Sequence, residues 1–202
     1  MHDVNRNAVR RDLLGDGPAA VEVLLTGGDP RSLRNAAIVI DAASRQPERL
    51  EELVQCVFSA DEIVRMRASD ALEKVSRAHP GMVQRFVPRL LAEMSLIEQP
   101  SVQWHLAQIL TEVQLDEGEQ AQAIAILEHN LDNSSDWIVT NLTLQALARF
   151  ARTSPAVRTR LTERLRHHQD SPYKSVASRA RKLLAEFESK PPRALPRGRP
   201  RR

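Results

Sequence analysis

One apolar face at helical spacing recurs along this chain, and a chain that repeats a single amphipathic helix must stack the copies to bury that face. In residues 64–80 the face is Val64, Ala68, Ala71, Leu72 and Val75, at i, i+4, i+7, i+8 and i+11. It returns as Val102, Leu106, Ile109, Leu110, Val113. It returns again as Val139, Thr143, Ala146, Leu147, Phe150, and as Val176, Ala180, Leu183, Leu184, Phe187. A blurred first copy reads Ser32, Ala36, Val39, Ile40, Ala43, so successive offsets are 32, 38, 37 and 37 residues. Aromatics are only 3% of a chain that is 42% hydrophobic. The core therefore consists of Leu, Ile, Val and Ala, which suit helix packing.

Between these copies lie shorter apolar segments bounded by turn residues, which gives a plan of helix A, tight turn, helix B. The expected units are about 17–46, 47–79, 80–115, 116–153 and 154–188, after an N-terminal cap segment at 1–16. Gly27-Gly28 stops the first helix A. Asp29-Pro30 reads as the N-cap and first position of a helix over 31–45. Pro88 should kink or split the helix over 81–96. Asp116-Glu117-Gly118-Glu119 fits a capping box. Residues 189–202, rich in Pro and Arg and without core-forming side chains, read as disordered. The fold class expected is all-α, an α-solenoid of five hairpins with a basic tail.

These units resemble HEAT repeats. The second is the closest match, with Asp61-x-x-Val64-Arg65-x-x-Ala68-x-x-Ala71-Leu72. The resemblance covers roughly residues 17–188. It implies that an Asp at the turn and a basic residue early in helix B tie neighbouring repeats. Asp29, Asp61 and Asp136 occupy the turn, whereas the basic partner stands only at Arg65, with Gln103 and Thr140 in the next two units.

Charge is unevenly spread. Residues 1–148 hold 13 Lys/Arg against 22 Asp/Glu, and residues 149–202 hold 16 against 4. Such a basic end suits nucleic acid or an acidic partner, or else a solvated face. Cys56 is the lone cysteine, so neither a disulfide framework nor a cysteine zinc site is expected. No leader-like or membrane-spanning apolar run is present in the sequence, which reads as cytoplasmic with no membrane partner.

In stacked hairpins the outer side of helix B is the default binding surface. Helical phase puts Asp70, Arg77, Trp104, Gln108, Asn141, Gln145 and Arg152 there. Trp104 is either a binding hot spot or a contact with a neighbouring helix. The row Arg45, Arg77, Arg152 either grips anions or stabilises helix C-termini. Trp137, at a turn, is expected to plug a seam between repeats. Catalytic motifs, metal-ligand clusters and cofactor signatures are absent from the sequence. A HEAT-like DNA glycosylase would need Asp70, Trp104 and Trp137 in catalytic and DNA-holding roles.

In the tail, residues 196–201 read Pro-Arg-Gly-Arg-Pro-Arg and resemble an AT-hook core. The resemblance implies that Arg197 and Arg199 enter an A·T-rich minor groove against Gly198, while Arg193, Arg201 and Arg202 meet phosphates. Two function classes follow. One is a non-enzymatic scaffold that binds a protein on the helix-B face. The other is a DNA-associated protein using the tail and the basic fifth repeat: Arg158, Arg160, Arg164, Arg166, Lys174, Arg179, Arg181 and Lys182.

Overall fold

The computed structural model describes residues 20–29 and 32–189. The expected cap segment 1–16 and the tail residues Arg193, Arg197, Gly198, Arg199, Arg201 and Arg202 lie outside them. The described residues are all-helical, and none of their helices is long and apolar enough to cross a membrane. The chain forms two compact units, the first ending at Glu119 and the second beginning at Gln120.

In the first unit, α1 (Ala20–Leu25), α2 (Ala36–Ala43) and α3 (Pro47–Cys56) pack around α4 (Glu62–Ala78). The most extensive packing is α4 against α7 (Pro100–Glu112). Val64, Ala68, Ala71, Leu72 and Val75 have no solvent exposure, so α4 is the centre of this core. Asp61 caps it through Oδ1, which accepts from Ile63 N at 2.8 Å. Between α4 and α7 the chain breaks into α5 (Pro80–Val83), a 3-10 turn, α6 (Val87–Ala92) and a second 3-10 turn at Met94–Leu96. Pro88 lies in the first turn of α6, where its missing N–H leaves no helical bond unmade.

The expected helix over 31–45 is corrected: α2 starts only at Ala36, with Asn35 as N-cap rather than Asp29. The reason is a buried guanidinium. Arg67, without solvent exposure on α4, turns the preceding loop's carbonyls inward. Its Nε donates to Ser32 O at 2.8 Å, Nη2 to Asp29 O at 2.8 Å, and Nη1 to Gly27 O at 2.7 Å and also to Leu25 O. A helix through residues 29–35 would turn those carbonyls along its own axis. Arg34 instead takes a left-handed φ of 49° and donates to Thr26 O.

The second unit contains most of α8 (Glu117–Asn133), then α9 (Trp137–Ala151), α10 (Pro155–His168) and α11 (Lys174–Ser189). The last three pack on one another. The start of α8 is a reciprocal capping box: Asp116 N donates to Glu119 Oε2 at 3.0 Å and Glu119 N to Asp116 Oδ1 at 2.8 Å. Asp136 and Ser154 cap α9 and α10. Ser189, expected in the disordered tail, is instead the last residue of α11.

Arg67→Met keeps an apolar stem and deletes every donor, so four charge-assisted bonds at about 1 kcal/mol or more each are lost. Urea unfolding should show a loss of about 3 kcal/mol or more. Arg45→Ala breaks only an exposed pair with Asp41 and should cost less than about 0.5 kcal/mol. A loss below about 1 kcal/mol for Arg67→Met would mean that water replaces the guanidinium.

Candidate partner-binding surface

On the first unit the helix-B positions fall along α4 and α7. Trp104, expected to face away from the core, is half-buried. Its Nε1–H donates to His105 Nε2 at 3.1 Å and the two rings meet edge-on at 5.6 Å. Ser69 Oγ gives its proton to Met66 O, so at 3.1 Å it accepts from His105 Nδ1–H. Asp70 Oδ1 lies 3.6 Å from His105 Nε2, and Lys74 Nζ bonds Asp70 Oδ2 at 2.5 Å. Burial pushes the Asp70 carboxyl up, but the His105 and Lys74 contacts outweigh it and hold the carboxyl below its ordinary value. Hydroxyl, imidazole and carboxylate thus come together, but with the ring proton toward Ser69 rather than toward Asp70 as a hydrolytic triad requires. Ser69 is also sealed at zero exposure with its proton on a helix carbonyl, so no substrate atom can approach its oxygen. The cluster is a cross-helix tie between α4 and α7. Gln108 is half-buried on the same helix as Trp104, with no side-chain partner among the described residues.

The arginine row is neutralised. Arg45 pairs with Asp41 at 2.7 Å and Arg77 with Glu73 at 3.0 Å, each one turn away on its own helix. In the second unit Arg152 makes a two-pronged bond to Glu186, Nε at 2.8 Å and Nη2 at 3.1 Å. Asn141, on α9, accepts from Arg179 Nε at 2.6 Å through Oδ1, while Gln145 is exposed. Burial lowers the Arg179 guanidinium's pKa.

Several other cations of α10 and α11 are similarly occupied. Arg160 Nε meets Glu128 at 2.8 Å, and Arg164 Nη2 meets Asp132 at 2.7 Å, so α10 is zipped to α8 by two carboxylates one helical turn apart. The bond from Arg164 holds the Asp132 carboxyl below its ordinary value despite some burial. Arg181 donates to Gln169 O at 2.6 Å, and Arg158 lies 4.6 Å from the centre of the Phe187 ring. Arg166, Lys174 and Lys182 have no such partner among the described residues.

No protein-family model, curated protein sequence or solved structure matches the chain. What the surface can do is decided by its own chemistry. Cys56 is no nucleophile, because burial, then Glu22 and Glu52, push its thiol up to about 12. Among the described residues no three His, Cys, Asp or Glu side chains converge as a metal site.

The most exposed aromatic side chains among the described residues are Trp137 and Tyr173. Trp137 is 41% exposed and stacks on Tyr173, 47% exposed, with ring centres 6.4 Å apart and planes 27° from parallel. Trp137 opens α9 and Tyr173 immediately precedes α11, so both rings stand at helix starts outside either core face. Their separation by one repeat length is the sequence signal that could have paired them.

The Asp70 cluster has a pH signature. A carboxyl whose folded pKa is below its unfolded value stabilises the fold above the unfolded pKa, and the contribution is lost as pH falls through the folded one. In urea unfolding, Asp70→Asn should therefore be less stable than the parent at pH 7, with the gap closing as both are taken below pH of about 3. A gap that stays constant down that range would mean that Asp70 acts by packing alone.

Proposed function

We propose that this chain is a non-enzymatic helical-repeat scaffold of the HEAT-like kind, which binds a protein partner. The observation that carries the reading is the spacing of its side-chain ties. Arg65 Nε to Gln99 spans 34 residues, Ser69 to His105 spans 36, Arg152 to Glu186 spans 34 and Arg179 to Asn141 spans 38. Each joins one helix B, or the turn before it, to the next within its unit, at about one repeat length. Gln99 occupies the turn position that Asp61 holds one unit earlier, so Arg65–Gln99 stands in for the Asp–Arg tie implied by the resemblance. Hairpins tied at their own period are the mechanical basis of a solenoid, and solenoids present long faces rather than enclosed reaction sites. On this reading Trp104 and Gln108 in the first unit, and Gln145 in the second, belong to the helix-B contact face.

The DNA-associated reading loses support from the ion pairs. Arg160, Arg164, Arg179 and Arg181 already have acceptors within the second unit, and a duplex would have to compete with those acceptors. The AT-hook-like residues stay as its carrier. Fluorescence anisotropy on A·T-rich and G·C-rich duplexes separates the readings, using the full chain and a chain ending at Ser189, beside capture of protein from nuclease-treated lysate. The scaffold reading expects a retained protein partner and only weak, salt-sensitive duplex binding. Tight A·T-selective binding that vanishes on truncation, with no protein retained, would contradict it.

A further inference from the structure

Tyr173 lines a cleft of about 580 Å³ in the second unit, with Ser134 and Ser135 from the α8–α9 loop, Arg166 and His167 at the end of α10, and Asp170. Two independent features mark this cleft. Tyr173, which lines it, stacks on Trp137, and large aromatic rings left in water are enriched at the centres of protein contacts. Its guanidinium, Arg166, has no carboxylate partner among the described residues, whereas Arg160 and Arg164 on the same helix are both paired. His168 also lines the cleft. Burial, then repulsion from His167, holds its imidazole below the ordinary value, with Asp132 pulling the other way. The fixed positive charge at the cleft is therefore that of Arg166.

The charge balance selects the class of ligand. A nucleic-acid strand carries one negative charge per nucleotide and calls for a row of cations along a groove. The row that α10 could offer is neutralised by Glu128 and Asp132, and Asp170 in the cleft would repel a second phosphate. One guanidinium beside hydroxyls and a flat aromatic surface suits a single carboxylate next to an apolar or proline side chain. We propose that this cleft takes a peptide segment of a partner protein that carries one carboxylate, with the carboxylate on Arg166 and the adjoining apolar residue against Tyr173, which Trp137 backs. The proposal rests on the scaffold reading and names where, and by what chemistry, the partner is gripped.

The test uses the full chain and a fluorescein-labelled hexapeptide with one glutamate before a proline–leucine step and serines elsewhere. The same peptide with lysine replacing the glutamate and a twelve-thymidine single strand serve as comparisons. Arg166→Glu and Trp137→Ala, both at exposed positions and checked for helix content by circular dichroism, should each weaken acidic-peptide binding at least about tenfold, a loss of about 1.4 kcal/mol. Lys182→Glu, the same charge change on α11 outside the cleft lining, should change it less than about twofold. The lysine peptide and the oligonucleotide should not bind.

Equal effects of Arg166→Glu and Lys182→Glu would reduce the binding to diffuse charge and overturn the site. Preference for the oligonucleotide would overturn it in favour of nucleic acid, and no peptide binding at millimolar concentration would overturn it outright. A captured protein whose retention ignores Arg166→Glu and Trp137→Ala would overturn the cleft assignment alone. Duplex binding without any captured protein would contradict the scaffold reading itself.

Discussion

The guanidinium of Arg67 sets the geometry of the first unit. A charge with no access to water is tolerable only when its donors are met, and here Nε, Nη1 and Nη2 are met by the carbonyls of Leu25, Gly27, Asp29 and Ser32. Those carbonyls belong to the last residue of α1 and to the stretch between α1 and α2, so one side chain on α4 dictates where α1 stops and α2 begins. Gly27 and Gly28, at φ of 70° and 75°, supply the left-handed turns that point the carbonyls inward. The same side chain thus joins a loop to the helix on which the unit's core is centred.

Elsewhere the ties are single side-chain pairs. The Ser69–His105 contact joins α4 to α7, with Asp70–Lys74 and Trp104–His105 bonded within α4 and α7, while Arg179–Asn141 and Arg152–Glu186 tie α9 and its C-cap to α11. Each tie removes a charge or a polar tip from the surface available to a ligand. The second unit is the clearest case: five of its arginines are held by acceptors from neighbouring elements, and Arg166 lines a cleft with the exposed Tyr173 ring. Internal ties thereby set what the outer surface can recognise.

Much of the helical framework was legible in the sequence, because apolar spacing and capping chemistry are local. Val64 to Val75 and Val102 to Leu110 are buried as their spacing required, the Asp116–Glu119 box closes as written, and Pro88 breaks its helix. The late start of α2 was not legible, since Asp29-Pro30 is a sound local start signal and the competing demand comes from Arg67, distant in sequence. The surface was least legible. Helical phase assigns directions relative to one helix, yet Trp104 turns to its neighbour His105, and Trp137 and Tyr173 find each other from helix starts where phase says little. Arg152, exposed by phase, is claimed by Glu186 on another helix.

The most direct test of this account is hydrogen–deuterium exchange on the full chain carrying Arg67→Lys. An ammonium keeps the charge but lacks the planar fork that reaches carbonyls on several sides at once. The account expects amides of α1, of residues 26–35 and of the first turn of α2 to exchange much faster, while α4 and α7 keep their protection. Unchanged exchange in residues 20–36 would contradict it. So would a loss spread evenly over the unit, because the loop would then hold, or fail, independently of the buried guanidinium.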